Sequence, residues 1–243
     1  MARPFLILQL RPEDDTAEDE LAAILRYGTL AKSDVRRVRL EQSGMPRIRL
    51  DDYSGIIVGG SPFDVGRPEA QKSPIQRQIE AGFLRLFDAI AAVDFPFLGC
   101  CSGNGLLGKY CGATISGRFA EPVGGVDITL TADGKQDPLL HGLPDSFRVL
   151  LGHKEAVDAL PPGCVLLATG ARCPVQMFRL QNNIYATQFH PEADAEGFKV
   201  RINAYRNHGY FSPESADDLI AAVEQEHTPE AQSLLRRFVQ RYG

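Results

Sequence analysis

A chain of 243 residues with 44% hydrophobic and 23% charged residues has the composition of an ordinary soluble globular protein, long enough for one large α/β domain. Its net charge of −5 supplies no basic field, which argues against nucleic acid or an anionic membrane as partner. The apolar run Phe5–Leu10 is interrupted by Gln9 and too short for a signal-peptide core; no other segment approaches a membrane span, so a cytoplasmic location is expected.

In chain order, residues 4–10 read as a buried strand. Glu13–Tyr27 carries Leu21, Ile24 and Leu25 at helical spacing, with Gly28 placed to end the helix. The Arg11–Glu20 stretch reads as a solvated helix face. Val35–Leu40 alternates apolar and basic residues as a strand with one wet face does, and Tyr53–Val58 is a short apolar strand running into Gly59-Gly60-Ser61-Pro62. Ser73-Pro74-Ile75-Gln76 has the form of a capping box with proline at the first helical position. Behind it Ile75, Ile79, Phe83, Leu86, Phe87 and Ile90 share one helical face. Phe95–Cys100 follows as a strand and Ser102–Tyr110 as a helix.

This alternation predicts an α/β fold with a mainly parallel central sheet covered by helices on both faces. Beyond residue 113 the pattern changes to closely spaced strands at 124–131, 146–151, 164–169, 174–179 and 183–188. The Gly124-Gly125 pair is expected to form a turn between strands rather than a phosphate loop, because no helix start follows it. Residues 1–195 are expected to form the catalytic domain, and 196–243 a C-terminal helical extension of it, with helix starts at Ser215 and Thr228-Pro229.

Five cysteines, Cys100, Cys101, Cys111, Cys164 and Cys173, form an odd set without CxxC spacing, so free thiols are expected. No histidine stands at ligand spacing from another histidine or a cysteine, so no metal and no cofactor is expected. One thiol stands apart. In Gly99-Cys100-Cys101-Ser102-Gly103, Cys101 lies between a predicted strand and a predicted helix, with glycine two residues away on each side. That is the frame of a nucleophile elbow, whose turn is so sharp that flanking side chains would collide. Cys100 has Leu98 and Ser102 at the same offsets and is expected to be a buried strand residue. The helix N-terminus behind Cys101 should favour its thiolate, and the Ser102 N–H should lie where an oxyanion forms. A thiol attacking a carbonyl needs a base, and Gln188-Phe189-His190-Pro191-Glu192 at a strand end supplies His190, with Glu192 to hold its tautomer.

The elbow resembles the Pro-x-Leu-Gly-x-Cys-x-Gly signature of class I glutamine amidotransferases, and Gln188–Glu192 is similar to that family's His/Glu motif. Gly59-Gly60-Ser61-Pro62 resembles the family's oxyanion loop, and Gly152-His153-Lys154-Glu155 the middle segment of the amidotransferase domain of GMP synthase. The resemblance spans about residues 5–195. It implies a catalytic triad of Cys101, His190 and Glu192, an oxyanion hole at Gly60 and Ser102, and substrate contacts at Gly59, Gly105 and His153. The implied reaction cleaves the γ-amide of glutamine or a γ-glutamyl compound through a Cys101 thioester. The family holds both free-standing hydrolases and ammonia-producing subunits that serve a synthetase partner, and the sequence leaves both open. Gly105 stands where the family carries a glutamine that helps hold substrate, so broader γ-glutamyl substrates, or completion of the site by a partner, are expected. His153 and Glu155 fit an active-site rim and a solvated loop equally. The rival reading is a non-catalytic regulatory or binding protein that keeps the fold; a redox sensor built on vicinal Cys100 and Cys101 is disfavoured by the strain of pairing adjacent cysteines.

Overall fold

Strand and helix alternate as far as Tyr110 in the computed structural model, which describes residues 3–243. The elements are β1 (Phe5–Gln9), α1 (Asp14–Gly28), β2 (Val35–Arg39), a short α2 (Leu40–Ser43), β3 (Gly55–Val58), α3 (Pro74–Val93), β4 (Phe97–Cys100) and α4 (Ser102–Tyr110). The strand-rich middle holds β5 (Ile115–Ser116), β6 (Glu121–Leu130), a short α5 (Ala132–Gln136), β7 (Ser146–His153), β8 (Ala156–Val157), β9 (Cys164–Gly170), β10 (Met177–Leu180) and β11 (Ile184–Thr187). Three helices follow: α6 (Ala195–Ala204), α7 (Ala216–Val223) and α8 (Pro229–Tyr242). Among the described residues no helix is long and apolar enough to cross a membrane.

Nine strands form one sheet in the order β2-β1-β3-β4-β11-β10-β9-β6-β7. The first five run parallel and the other four join antiparallel, so the parallel half carries the α/β character that the alternation implied. The period of two along a strand divides β1 between two cores. Leu6 and Leu8 face the side covered by Ile79, Phe83, Phe87 and Ile90 of α3, whereas Phe5 and Ile7 face the side covered by Leu234, Leu235 and Phe238 of α8. The Phe238 ring lies 6.1 Å from that of Phe5, so the last helix seals one face of the first strand. Truncating a buried aromatic of this kind costs about 3–5 kcal/mol.

Local chemistry explains where expectation and structure part. Helix α1 runs through Gly28 and stops at Thr29, which takes the left-handed conformation at φ 56°. Gly28 instead gives close passage: a Cβ there would lie 3.0 Å from Leu30 Cδ1 and 3.3 Å from Val239 Cγ2 of α8. Ser73 caps α3 by accepting the Gln76 N–H at 3.2 Å, but the Gln76 amide reaches Asp64 O and Glu80 instead of closing a capping box. Gly124 and Gly125, expected in a turn, lie inside β6; a Cβ on Gly125 would meet the Glu226 carboxyl at 2.2 Å, so the glycine makes room for that side chain. Strand β10 begins at Met177 rather than at 174, because Gln176 N–H bonds Ala168 O across a bulge and breaks the ladder there.

Ser73 is remote from the chemistry described below, so Ser73→Ala should lower unfolding free energy by about 1 kcal/mol, read by urea denaturation, through loss of the N-cap alone.

Candidate active site

The carboxyl ends of β1, β3, β4 and β11 open on one crevice, as ligand sites in parallel sheets do. Strand β4 lies between β3 and β11, and the Cys101 N–H continues the ladder by donating to Thr187 O at 2.7 Å. The chain then turns abruptly: Cys101 adopts φ 52°, ψ −94°, a region that costs a non-glycine residue about 1–3 kcal/mol. Gly99 is the residue the turn demands, since a Cβ there would lie 2.8 Å from the Gly103 carbonyl carbon. A Cβ on Gly103 would meet only Val58 at 3.5 Å, so the expected two-sided glycine requirement is one-sided. Cys101 is half-buried at the crevice, whereas Cys100 is fully buried in the core on the α8 side. The Ser102 N–H, first in α4, has no hydrogen-bond partner among the described residues.

His190 and Glu192 follow β11. The His190 N–H donates to Leu150 O at 3.0 Å, and its ring stands edge-on to Phe198 at 5.5 Å. Nδ1 lies 2.6 Å from Glu192 Oε1, which also accepts from Arg201 Nη2 at 3.3 Å, leaving Nε2 of the ring open. Burial works to raise the Glu192 carboxyl, but His190 and Arg201 prevail and hold it below the usual carboxylate range. Burial lowers the His190 imidazole, and the Arg201 and Arg11 guanidinium groups add to that against the pull of Glu192. Cys101 and His190 line the same cavity without a hydrogen bond between them among the described residues. The Cys101 thiol departs from expectation: burial pushes it up to about 12, against Arg11 and Arg201. Both shifts favour thiol and neutral imidazole over a thiolate–imidazolium pair.

Two partners of this site escaped the sequence reading. Arg11 and Glu20, expected on a solvated helix face, are 3% and 0% exposed and pair through Arg11 Nε and Glu20 Oε2 at 2.5 Å. Arg11 Nη1 also donates to Tyr205 OH at 3.0 Å. Arg11 stands just past the carboxyl end of β1, which is the signal that could have found it. Glu20 also settles the two glycines of the expected oxyanion loop. A Cβ on Gly59 would lie 2.2 Å from Glu20 Oε1, and the Gly60 N–H donates to Glu20 Oε2 at 3.2 Å. Gly59 is thus packed on a carboxylate rather than presented to the cavity, and the Gly60 N–H expected for an oxyanion is engaged elsewhere.

On the other side of Cys101 the cavity wall includes Ser102, Gly105, Gln188, His153 and Glu155. Gly105 is helical, and a Cβ on it would touch Val65 at 3.4 Å and Ile115 at 4.0 Å, so a side chain fits there. His153 and Glu155 are not a solvated loop. His153 is 5% exposed, with Nδ1 3.1 Å from Glu155 O and Nε2 3.1 Å from Glu121 Oε2. Glu155 accepts the Val65 and Gly66 N–H groups and so ties down the loop after β3. His153 thus builds the wall rather than offering a free polar atom to a ligand. Against expectation from spacing, Glu121, His153 and Cys173 converge within 4.8 Å, an arrangement able to ligate a metal. Glu121 already accepts from Gln176 Nε2 at 2.7 Å and lies 3.1 Å from His153 Nε2, and burial raises the Cys173 thiol to about 11.

This crevice, with a strained cysteine at a strand-to-helix turn and a histidine–carboxylate pair one strand away, has the layout of a thiol hydrolase or acyl-transfer site. The profile of the family described as "Glutamine amidotransferase class-I" matches residues 20–205, and the chain belongs to that family, whose members hydrolyse the glutamine amide with a cysteine nucleophile. It is 32% identical over 138 residues to a glutamine-hydrolysing GMP synthase of Thermomicrobium roseum, a match covering 57% of this chain and 23% of that protein. One of the subunits of the glutamine-hydrolysing GMP synthase of Archaeoglobus fulgidus is 26% identical over 170 residues, covering 70% of this chain and 81% of the relative. A glutamine amidotransferase structure from Thermotoga maritima superposes with a TM-score of 0.78 over 100% of this chain and 99% of its own, at 22% identity. The chain thus spans about a quarter of the length of the Thermomicrobium relative.

Gly99→Ala should cost about 1–3 kcal/mol in urea denaturation by forcing its Cβ against Gly103, while Gly103→Ala should cost less. Because His190 titrates below its ordinary 6.5, its neutral base form persists at neutral pH and is lost as pH falls through the lowered value. The kcat/KM profile should therefore be flat from about pH 7 to 8 and fall about tenfold per unit below the histidine pKa. A half-maximum above pH ~7, or a continued rise past pH ~8 as thiolate forms, would contradict this assignment.

Proposed function

We propose that this chain hydrolyses the γ-amide of glutamine or of a γ-glutamyl compound, with Cys101 as nucleophile, His190 as acid and base, and Glu192 as the group that orients the imidazole. The observation that carries the reading is the Cys101 turn at φ 52°, ψ −94° beside a buried His190–Glu192 pair at 2.6 Å. With the protonated thiol favoured, His190 takes its proton as Sγ adds to the carbonyl, then delivers that proton to the departing nitrogen. Water, deprotonated by the same imidazole, releases glutamate from the thioester. The free Ser102 N–H is placed to donate to the tetrahedral oxyanion, a contribution whose loss typically costs ~10²–10³ in rate. Gly60 can join it only by leaving Glu20.

The similarity to one component of a multi-subunit GMP synthase supports a second disposition of the nitrogen, in which ammonia passes to a synthetase partner. Gly105, which leaves the wall without the expected amide side chain, fits broader γ-glutamyl substrates or completion of the site by a partner. Glutamate release from glutamine and a panel of γ-glutamyl amides by the purified chain tests the reading. Cys101→Ala should abolish turnover, and Cys100→Ala, altering a thiol in the opposite core, should keep most of it. A dead Cys100→Ala with an active Cys101→Ala would overturn the assignment.

A further inference from the structure

The cavity has two lobes that meet at Cys101, sharing Ser61, Gly152 and Tyr210. One is lined by Ser102 and Gly105; the other by His190, Arg11 and Arg201. The reaction proposed above assigns one end of the substrate to each. With the scissile carbon at Sγ, the oxyanion belongs beside Ser102, and the acyl chain lies in the first lobe. The departing nitrogen must reach His190, which lines only the second lobe. Whatever that nitrogen carries therefore extends into the second lobe, which glutamine, whose leaving group is ammonia, does not fill.

The chemistry of the second lobe is specific. Phe198, Ile202 and Phe211 give it apolar walls, and no carboxylate lines it. Its charged groups are two guanidiniums with donors to spare. Arg11, 3% exposed, bonds through Nε and Nη1 while Nη2 makes no hydrogen bond among the described residues. Arg201, 6% exposed, has Nε and Nη1 enclosed and without hydrogen-bond partners among the described residues. Arg11 also stands close to the reacting end: Nη2 and His190 Cε1 lie 2.5 and 2.7 Å from the same point, the position of a Cβ built on Gly60. In the reaction proposed above, a guanidinium this near the imidazole would lie within reach of the first carbon attached to the departing nitrogen, which is where an α-amino acid carries its carboxylate.

We propose that the second lobe is a leaving-group subsite for an α-amino acid with a large apolar or aromatic side chain, so that the substrates are γ-glutamyl dipeptides whose carboxylate is taken by Arg11. This rests on the hydrolase reading above. The step balances with water as the only co-reactant. Sγ bonds the γ-carbonyl carbon, the C–N bond breaks with its electron pair on nitrogen, and nitrogen takes the proton that His190 removed from the thiol. Water then cleaves the thioester, giving glutamate and the free amino acid.

Steady-state kinetics of the purified full chain test this with three compounds: γ-glutamylphenylalanine, γ-glutamylphenethylamide, which has the same body without the carboxylate, and glutamine. The dipeptide should exceed both others in kcat/KM by at least about tenfold. Val123→Trp, a half-buried position lining only the second lobe, should reduce dipeptide cleavage by at least about tenfold and glutamine cleavage by no more than about threefold. The wild-type comparison stands whether or not that variant folds. Equal cleavage of the phenethylamide would remove the carboxylate subsite. Glutamine turned over by Cys101 with the dipeptide inert would overturn the inference and leave the hydrolase intact, whereas no glutamate from any compound would remove the hydrolase reading and the inference with it.

Discussion

The register of β4 between β3 and β11 is the constraint on which the site depends. Cys100 pairs with Thr187, and the next N–H, that of Cys101, still donates to Thr187 O at 2.7 Å. Adjacent strands lie about 4.8 Å apart, so this pairing alone sets the thiol and the segment bearing His190 side by side, whatever their separation in sequence. A slip of one residue would turn Cys101 into the core and Cys100 towards the crevice. The strain at Cys101 is tolerable because it is bracketed by a paired strand on one side and the first turn of α4 on the other.

Around that junction the molecule concentrates charge where it excludes water. Arg11, Glu20, Glu192 and Arg201 are all 6% exposed or less and contact one another or His190. Ion clusters of this kind add little net stability, but deleting one member typically costs about 3–5 kcal/mol by stranding its partner. Their effect here is positional. Glu192 fixes which imidazole nitrogen is open, Arg201 fixes Glu192, and Glu20 fixes both Arg11 and the loop after β3.

The sequence made the local chemistry legible and the long-range company illegible. Cys101 is separable from Cys100 because a strand-to-helix turn has a steric requirement that Gly99, two residues before it, records, although Gly103 on the other side is not demanded. His190 and Glu192 were visible because they share one short segment at a strand end. Strand β6 was misread at Gly124-Gly125, since two glycines normally mark a turn and only the approach of Glu226, a hundred residues away, explains one inside a strand. Arg11 and Glu20 were misread for the same reason: a charged helix start looks solvated until α6 and the β3 loop are laid over it. Burial opposes the thiolate that the helix N-terminus favours: the helix N-terminus is local, whereas the desolvation comes from the assembled cavity.

Burial of Cys101 has a consequence for its chemical durability. Peroxides and disulfides attack thiolates rather than thiols, and burial, which pushes the Cys101 thiol up, works against that form. Its chain neighbour cannot act as a resolving thiol, because Cys100 is enclosed in the opposite core. An oxidised Cys101 would have no second thiol among the described residues lining the cavity to rescue it through a disulfide.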